Sequence, residues 1–151
     1  MDLQNKYAPK SICFGCGPAN DHGLKIKSIP EGDNVIAEFK PQPHHQAFPN
    51  VLSGGIIGTL LDCHSNWTAA WTIMKNQNEE QPPCTVTAKY SVKLLKPCPT
   101  IYPVKIIATV AKSSDNKAII KSELIAENQI YATCEGIFIA VKEGHPAYNR
   151  W

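Results

Sequence analysis

The segment SGGIIGTLLDCHSNWTAAW, Ser53 to Trp71, combines two features that a chain does not carry without cost. It opens on Gly54 and Gly55, each of which costs a helix roughly 1 kcal/mol against alanine. It then sets a single carboxylate, Asp62, nine residues after Ser53 among apolar neighbours. An unpaired carboxylate is expensive to take out of water, and one kept there can serve as a base or a nucleophile. Both costs fall within ten residues, so this segment is the first place to look for chemistry.

A second set of reactive side chains is the cysteines, Cys13, Cys16, Cys63, Cys84, Cys98 and Cys134. Most read as small buried hydrophobes. Only Cys13-Phe14-Gly15-Cys16 has the spacing of a metal or redox pair. A structural zinc needs four ligands and the pair supplies two. His22 is a candidate third, and no fourth is evident. Zinc, a redox pair and a plain structural turn are all compatible with the motif. With two thiolates secured, the expectation is the turn, with no metal and no bound cofactor. His44 and His45 fall in a proline-rich stretch that reads as an exposed loop.

The elements that must position Asp62 follow from periodicity. LKIKSI (Leu24 to Ile29) and VIAEF (Val35 to Phe39) alternate with the period of a strand and flank the turn PEGDN, which predicts a hairpin. Pro41, Pro43 and Pro49 keep the next stretch extended. Ser53 is a suitable N-cap for a helix running to about Lys75. Ile56, Ile57, Leu60, Leu61, Trp67, Trp71, Ile73 and Met74 cover most of its sides, so the helix is buried. Gly58, Asp62, Ser65 and Ala69 recur on one small, polar-tolerant stripe. Thr85 to Leu95 then alternates, with Val86, Ala88, Tyr90, Val92 and Leu94 on one face. Thr85, Thr87, Lys89, Ser91 and Lys93 occupy the other. Val104 to Val110, Ala118 to Ala126 and Ile130 to Val141 complete a meander with turns at KSSDN and EN. The fold class is α+β, an antiparallel sheet wrapped around one long central helix. We expect one domain over residues 1–151, with an N-terminal segment at 1–22 and a peripheral tail at 143–151 from which Trp151 could dock.

Composition excludes several classes of function. Hydrophobic residues make up 43% and charged residues 19%, the balance of an ordinary globular chain. Net charge is +2 and Arg150 is the only arginine, which gives nucleic-acid binding little support. Met1 to Lys10 does not read as a signal peptide, and no run approaches the roughly 20 apolar residues of a membrane span. A cytoplasmic location is therefore expected. The sequon Asn66-Trp67-Thr68 lies inside the apolar helix, which argues against glycosylation.

Three stretches in order, CFGCGPANDHGL, SGGIIGTLLD and TVTAKYSVKLLKPCP, resemble the hotdog-fold thioesterases. The PaaI-like acyl-CoA thioesterases of phenylacetate pathways are the group they resemble most. The resemblance covers roughly Cys13 to Lys142. It implies a hotdog fold and hydrolysis of acyl-CoA or acyl-carrier thioesters, with the coenzyme thioester as substrate. By the same resemblance, Gly55 offers its backbone N–H to the thioester carbonyl, at the helix end where an oxyanion develops. Lacking Cβ atoms, Gly54 and Gly55 let the substrate approach the backbone. Asp62 is implied as general base on water or as nucleophile, and Thr87 as the residue that positions water or carboxylate. The site would be completed across a homodimer or a dimer of dimers, with the partner subunit supplying the carboxylate.

Two positions depart from the family pattern. Ser53 stands where a histidine usually precedes the glycines, and Ala47 stands where an asparagine is frequent. Gln46 and Asn50 are the nearby polar residues, so Ser53, Gly54, Asn50 and Gln46 are the expected substrate contacts. His64 lies about 200° around the helix from Asp62 and should not meet the same substrate. Lys89, Lys93 and Lys96 form either a solvated face or contacts to the coenzyme's phosphates. The missing histidine keeps a second reading open: a non-catalytic acyl-CoA or acyl-carrier binding protein, or a regulatory hotdog protein.

Overall fold

Apolar side chains on most sides of one long helix require a sheet that curves over it, and that is the architecture of the computed structural model, which describes residues 1–151. The chain order is α1 (Leu3–Tyr7), β1 (Ile29–Glu31), β2 (Asn34–Phe39), a 3-10 turn (Pro43–His45), β3 (Gln46–Phe48), β4 (Val51–Leu52), α2 (Gly54–Asn76), β5 (Thr85–Leu94), β6 (Val104–Ser113), β7 (Lys117–Ala126) and β8 (Gln129–Ala140). The main sheet is antiparallel throughout, in the order β1-β2-β6-β7-β8-β5. β3 and β4 make a separate small hairpin immediately before α2. This is the hotdog fold. No helix is long and apolar enough to cross a membrane.

Turn chemistry closes the hairpins where the sequence marks them. Gly32 takes the left-handed conformation (φ 61°) in the two-residue loop between Glu31 and Asn34. Glu127 and Asn128 both have positive φ between the paired residues Ala126 and Gln129, the geometry that suits a right-twisted hairpin. α2 packs mainly on β7 and β6. Leu60, Leu61 and Trp67 meet Val35, Ile106, Leu124 and Cys134 in the larger core, while Ala69 and Ile73 meet Ala108, Ile120 and Phe138 in a smaller one. Asn66, Trp67 and Thr68 are all buried, which removes the sequon from any glycan.

Two expectations are corrected. The alternating stretch from Leu24 does not pair with β2 until Ile29. Its amides bond elsewhere: Leu24 N–H to Phe14 O at 2.8 Å and Ile26 N–H to Gly15 O at 3.1 Å. The N-terminal segment has taken the partners that a longer strand would have used. In β5, a bulge at Ala88 inserts one extra residue, so Thr87 pairs with Phe138 and Lys89 with Ile137. The side-chain alternation shifts there by one. Thr85 and Thr87 therefore face the helix, on the same side as Val92, and not an opposite polar face. The tail is exposed over most of residues 143–150 but docks at its end: Trp151 stacks on Trp67 with centroids 4.3 Å apart, and Arg150 donates to Thr85 O at 2.7 Å.

His64 illustrates how polar groups are accommodated inside this core. It is fully buried, with Nδ1 2.8 Å from Ser28 Oγ and Nε2 2.9 Å from Val35 O. Buried Gln4 donates to Ser28 Oγ at 2.8 Å, so the serine hydroxyl donates onward to Nδ1 and the proton sits on Nε2, facing Val35 O. Burial pushes the imidazole pKa down to about 4. The unfolded chain protonates near 6.5 while the folded chain resists, so this residue's contribution is complete above pH 6.5 and is lost toward pH 4. Chemical denaturation should show stability falling by up to about 3 kcal/mol from this source between pH 7 and pH 4. His64→Gln should be less stable at pH 7 and should lack that part of the pH dependence.

Candidate active site

The start of α2 is an uncapped set of backbone donors. Ser53 occupies the N-cap position, but its hydroxyl makes no capping bond. The first helix amide with a partner is that of Ile57, which bonds Ser53 O at 3.0 Å. The N–H groups of Gly54, Gly55 and Ile56 have no partner in the chain, and helix geometry aims them outward with the positive end of the dipole. The expectation of a serine cap is thus corrected: the strand-to-helix corner is instead held by Ser53 N–H to His45 O at 2.9 Å.

The two glycines differ in kind. A Cβ on Gly54 would come within 3.0 Å of a Leu94 methyl, which would have to shift by a few tenths of an ångström. A Cβ on Gly55 would meet nothing closer than Ser53 Oγ at 3.7 Å, an ordinary contact. Gly55 is also exposed. Nothing within the chain requires a glycine there, and the helix still bears its cost.

Asp62 lies seven residues further along α2 and is half-buried under β5. Thr87 donates its hydroxyl to Asp62 Oδ1 at 2.6 Å. The bulge at Ala88 makes this contact compatible with an apolar inner face beyond it, because Thr87 and Val92 can then share one side of β5. Burial holds the Asp62 carboxyl above the ordinary carboxylate range. The hydrogen bond from Thr87 pulls it back, the Cys13 sulfur nearby raises it, and the Arg150 guanidinium lowers it. The result is a carboxylate more basic than one in water, oriented by a single hydroxyl.

The remaining expected contacts separate from this pair. Gln46 and Asn50 belong to the β3–β4 hairpin. Gln46 accepts from Asn50 N–H and donates to Pro43 O at 2.7 Å, while Asn50 holds φ at 67° in the turn. Neither bonds Asp62, Thr87 or the helix start, so within one chain they build the loop beside α2. Lys89 and Lys93 point to the outer face of the sheet with Glu123 and Glu135, away from the carboxylate. Lys96 bonds Gln129 and lies over the Tyr131 ring.

Sequence reasoning missed two neighbours of Asp62. Asn66 lies one turn further along and is 6% exposed, with Oδ1 lacking any partner and only long 3.4 Å bonds to Thr85. Its spacing of four from Asp62 was the available signal. Ser65, placed on the carboxylate's stripe by sequence, instead bonds Ser122 under β7 at 2.9 Å. Cys63 is the second neighbour; its sulfur meets those of Cys13 and Cys16. No spacing rule links position 63 to that motif.

Seven residues of helix separate Gly55 from Asp62 by about 10 Å along the axis. One chain therefore does not bring its own free amides and its own carboxylate to one reacting carbonyl.

No family model matches this chain, and neither does any curated protein. Solved structures do match. A thioesterase superfamily protein from Shewanella loihica is 25% identical over 83% of this chain and 98% of its own, with a TM-score of 0.66. The E. coli PaaI protein of the phenylacetic acid degradation operon is 13% identical over 79% and 81%, with a TM-score of 0.65. A Streptococcus mutans protein solved bound to acetyl-CoA is 15% identical over 77% and 88%, with a TM-score of 0.64. The sheet and central helix described above are thus the fold of thioesterase-superfamily proteins.

If Gly55 is retained for something outside the chain, replacing it should help the chain itself. Gly55→Ala should stabilise the protein by about 0.5–1 kcal/mol, read from a denaturant midpoint. Gly54→Ala should be neutral or destabilising, because Leu94 must give way. Equal losses of stability in both variants would show that Gly55, too, is needed for packing.

Proposed function

We propose that this protein is a homodimeric acyl-CoA thioesterase in which each active site combines the Gly55 amide of one subunit with the partner subunit's Asp62. The observation that carries this reading is the pair of unmet requirements on α2. Free N–H groups stand at an exposed glycine, and a half-buried carboxylate held by Thr87 lies too far along the same helix to join them. A second α2, antiparallel to the first, would bring the two together. Acyl-CoA as substrate is supported by the acetyl-CoA found in a protein of the same fold.

In the proposed reaction, Asp62 removes a proton from water as the water oxygen attacks the thioester carbon. The carbonyl oxygen gains negative charge beside the Gly55 N–H, where the helix dipole stabilises it. Collapse of the tetrahedral intermediate breaks the carbon–sulfur bond and releases the coenzyme as thiolate and the acyl group as carboxylic acid. Thr87 keeps one carboxylate oxygen occupied and leaves the other for water. Burial raises Asp62 toward the range where a carboxylate is an effective base. Ser53 adds no group that titrates near neutrality, so the carboxylate alone sets the acid limb of the pH profile.

Ser53 is also the observation behind the alternative reading as a non-catalytic binder of acyl-CoA. A panel of acyl-CoAs assayed for free thiol separates the two. Asp62→Asn should lower turnover about 10²–10⁴-fold while binding persists. Unchanged turnover would discard Asp62 as the base, and binding without turnover in the natural protein would establish the alternative.

The shared site has its own signature. Mixing Asp62→Asn subunits with Gly55→Val subunits should restore activity that neither homodimer has, because one site of each mixed dimer then draws both groups from intact positions. Sedimentation showing only a 16.6 kDa monomer at micromolar concentration would refute the arrangement. The pH profile offers a further check. Thr87→Val removes a hydrogen bond that favours the carboxylate, so the acid limb of kcat should move to higher pH, and an unmoved limb would remove Thr87 from the site.

A further inference from the structure

The N-terminal turn and the central helix bring together three thiols that thioester hydrolysis does not use. Cys13 and Cys16 bracket the CFGC turn, and Cys63 meets them from α2. All three sulfurs lie within 4.8 Å of one another, and those of Cys13 and Cys63 are 3.8 Å apart. Two sulfurs each about 2.3 Å from a tetrahedral ion stand about 3.8 Å from one another, so this pair already has the spacing of two ligands on one centre. None of the three is in a disulfide.

The turn is held against the helix on every side. A Cβ on Gly15 would collide with the Cys63 sulfur and the Thr59 methyl, and one on Gly17 with the backbone of Ser11 and Cys13. Gly17 N–H closes the turn onto Cys13 O at 2.8 Å. Leu24 and Ile26 donate to Phe14 O and Gly15 O, which fastens the turn from the other side. Buried Trp67 donates its indole N–H to Cys16 Sγ at 3.3 Å. A donor placed on sulfur orients it and favours its thiolate, the role that outer partners play around metal ligands. Cys13 and Cys63 remain partly exposed, which leaves a path from solvent. His22, the third ligand suggested by sequence alone, is exposed and outside this group.

We propose that Cys13, Cys16 and Cys63 form a three-thiolate site for one thiophilic cation of the zinc class, with water in the fourth position. A donor set made only of sulfur selects such ions over magnesium or calcium. The ion would tie the N-terminal segment to the helix that carries Asp62. This assignment stands independently of the thioesterase reading, and its test does not depend on activity.

Reduced, chelator-stripped protein is titrated with Co²⁺ and then with Zn²⁺. One equivalent of Co²⁺ should saturate a thiolate-to-cobalt charge-transfer absorption, which Zn²⁺ then abolishes. Equimolar Zn²⁺ should protect the two partly exposed cysteines of the site, Cys13 and Cys63, from a thiol reagent and raise the melting temperature. Cys63→Ser and Cys13→Ser, each checked for folding by circular dichroism, should weaken binding by at least about tenfold, while Cys84→Ser should not. Cobalt uptake without thiolate absorption, or equal affinity in both folded variants, would overturn the assignment. So would reduced protein that takes up no cobalt but forms a Cys13–Cys63 disulfide with an added disulfide reagent; that outcome would make the cluster a redox pair.

Discussion

Enclosing α2 is the constraint on which the rest of the structure depends. A helix apolar on most sides must be covered, and one curved antiparallel sheet covers it at the cost of leaving the helix start and one flank open. The free amides of Gly54, Gly55 and Ile56 lie on that uncovered part, while the half-buried carboxylate of Asp62 is covered in part by β5. Elsewhere on the helix His64 is paired with Ser28 and Val35 and Ser65 with Ser122, while the buried Asn66 Oδ1 has no partner. The contrast separates polar groups that the fold itself satisfies from those that it leaves without a partner.

The β5 strand reconciles two incompatible demands. It has to present Thr87 to Asp62 and also present apolar side chains to the core further along. A strand of strict period two, with threonines and valines at opposite parities, cannot do both. The one-residue bulge at Ala88 changes parity between Thr87 and Val92, so both meet the helix side. Gly136 on the neighbouring strand serves the same crowded region. A Cβ there would lie 2.6 Å from the ring of Phe138, so only glycine lets that ring fill the space beside β5.

The two ends of the chain converge on the central helix. Trp67 is stacked by Trp151 from the tail and bonded to Cys16 from the N-terminal segment, so one buried indole joins three parts of the sequence. Arg150 follows the tail to Thr85 and contributes positive charge near Asp62. The only arginine of the chain, uninformative as composition, is thereby part of the electrostatics of the carboxylate.

The sequence by itself determined the helix and its extent, the order of the strands, the hairpin turns and the carboxylate with its two glycines. These are local properties: period, turn chemistry and the cost of a charge among apolar residues are all read within a dozen neighbours. Tertiary structure alone decided which face of β5 carries Thr87, because a bulge adds a residue without changing the local pattern. It also decided that Leu24 to Ser28 pairs with the N-terminal segment, since a strand pattern says that a segment is extended and not what it bonds. The meeting of Cys63 with Cys13 and Cys16, fifty residues apart, has no local signature at all. It exists because the buried helix and the N-terminal turn share one surface, and only packing brings them there.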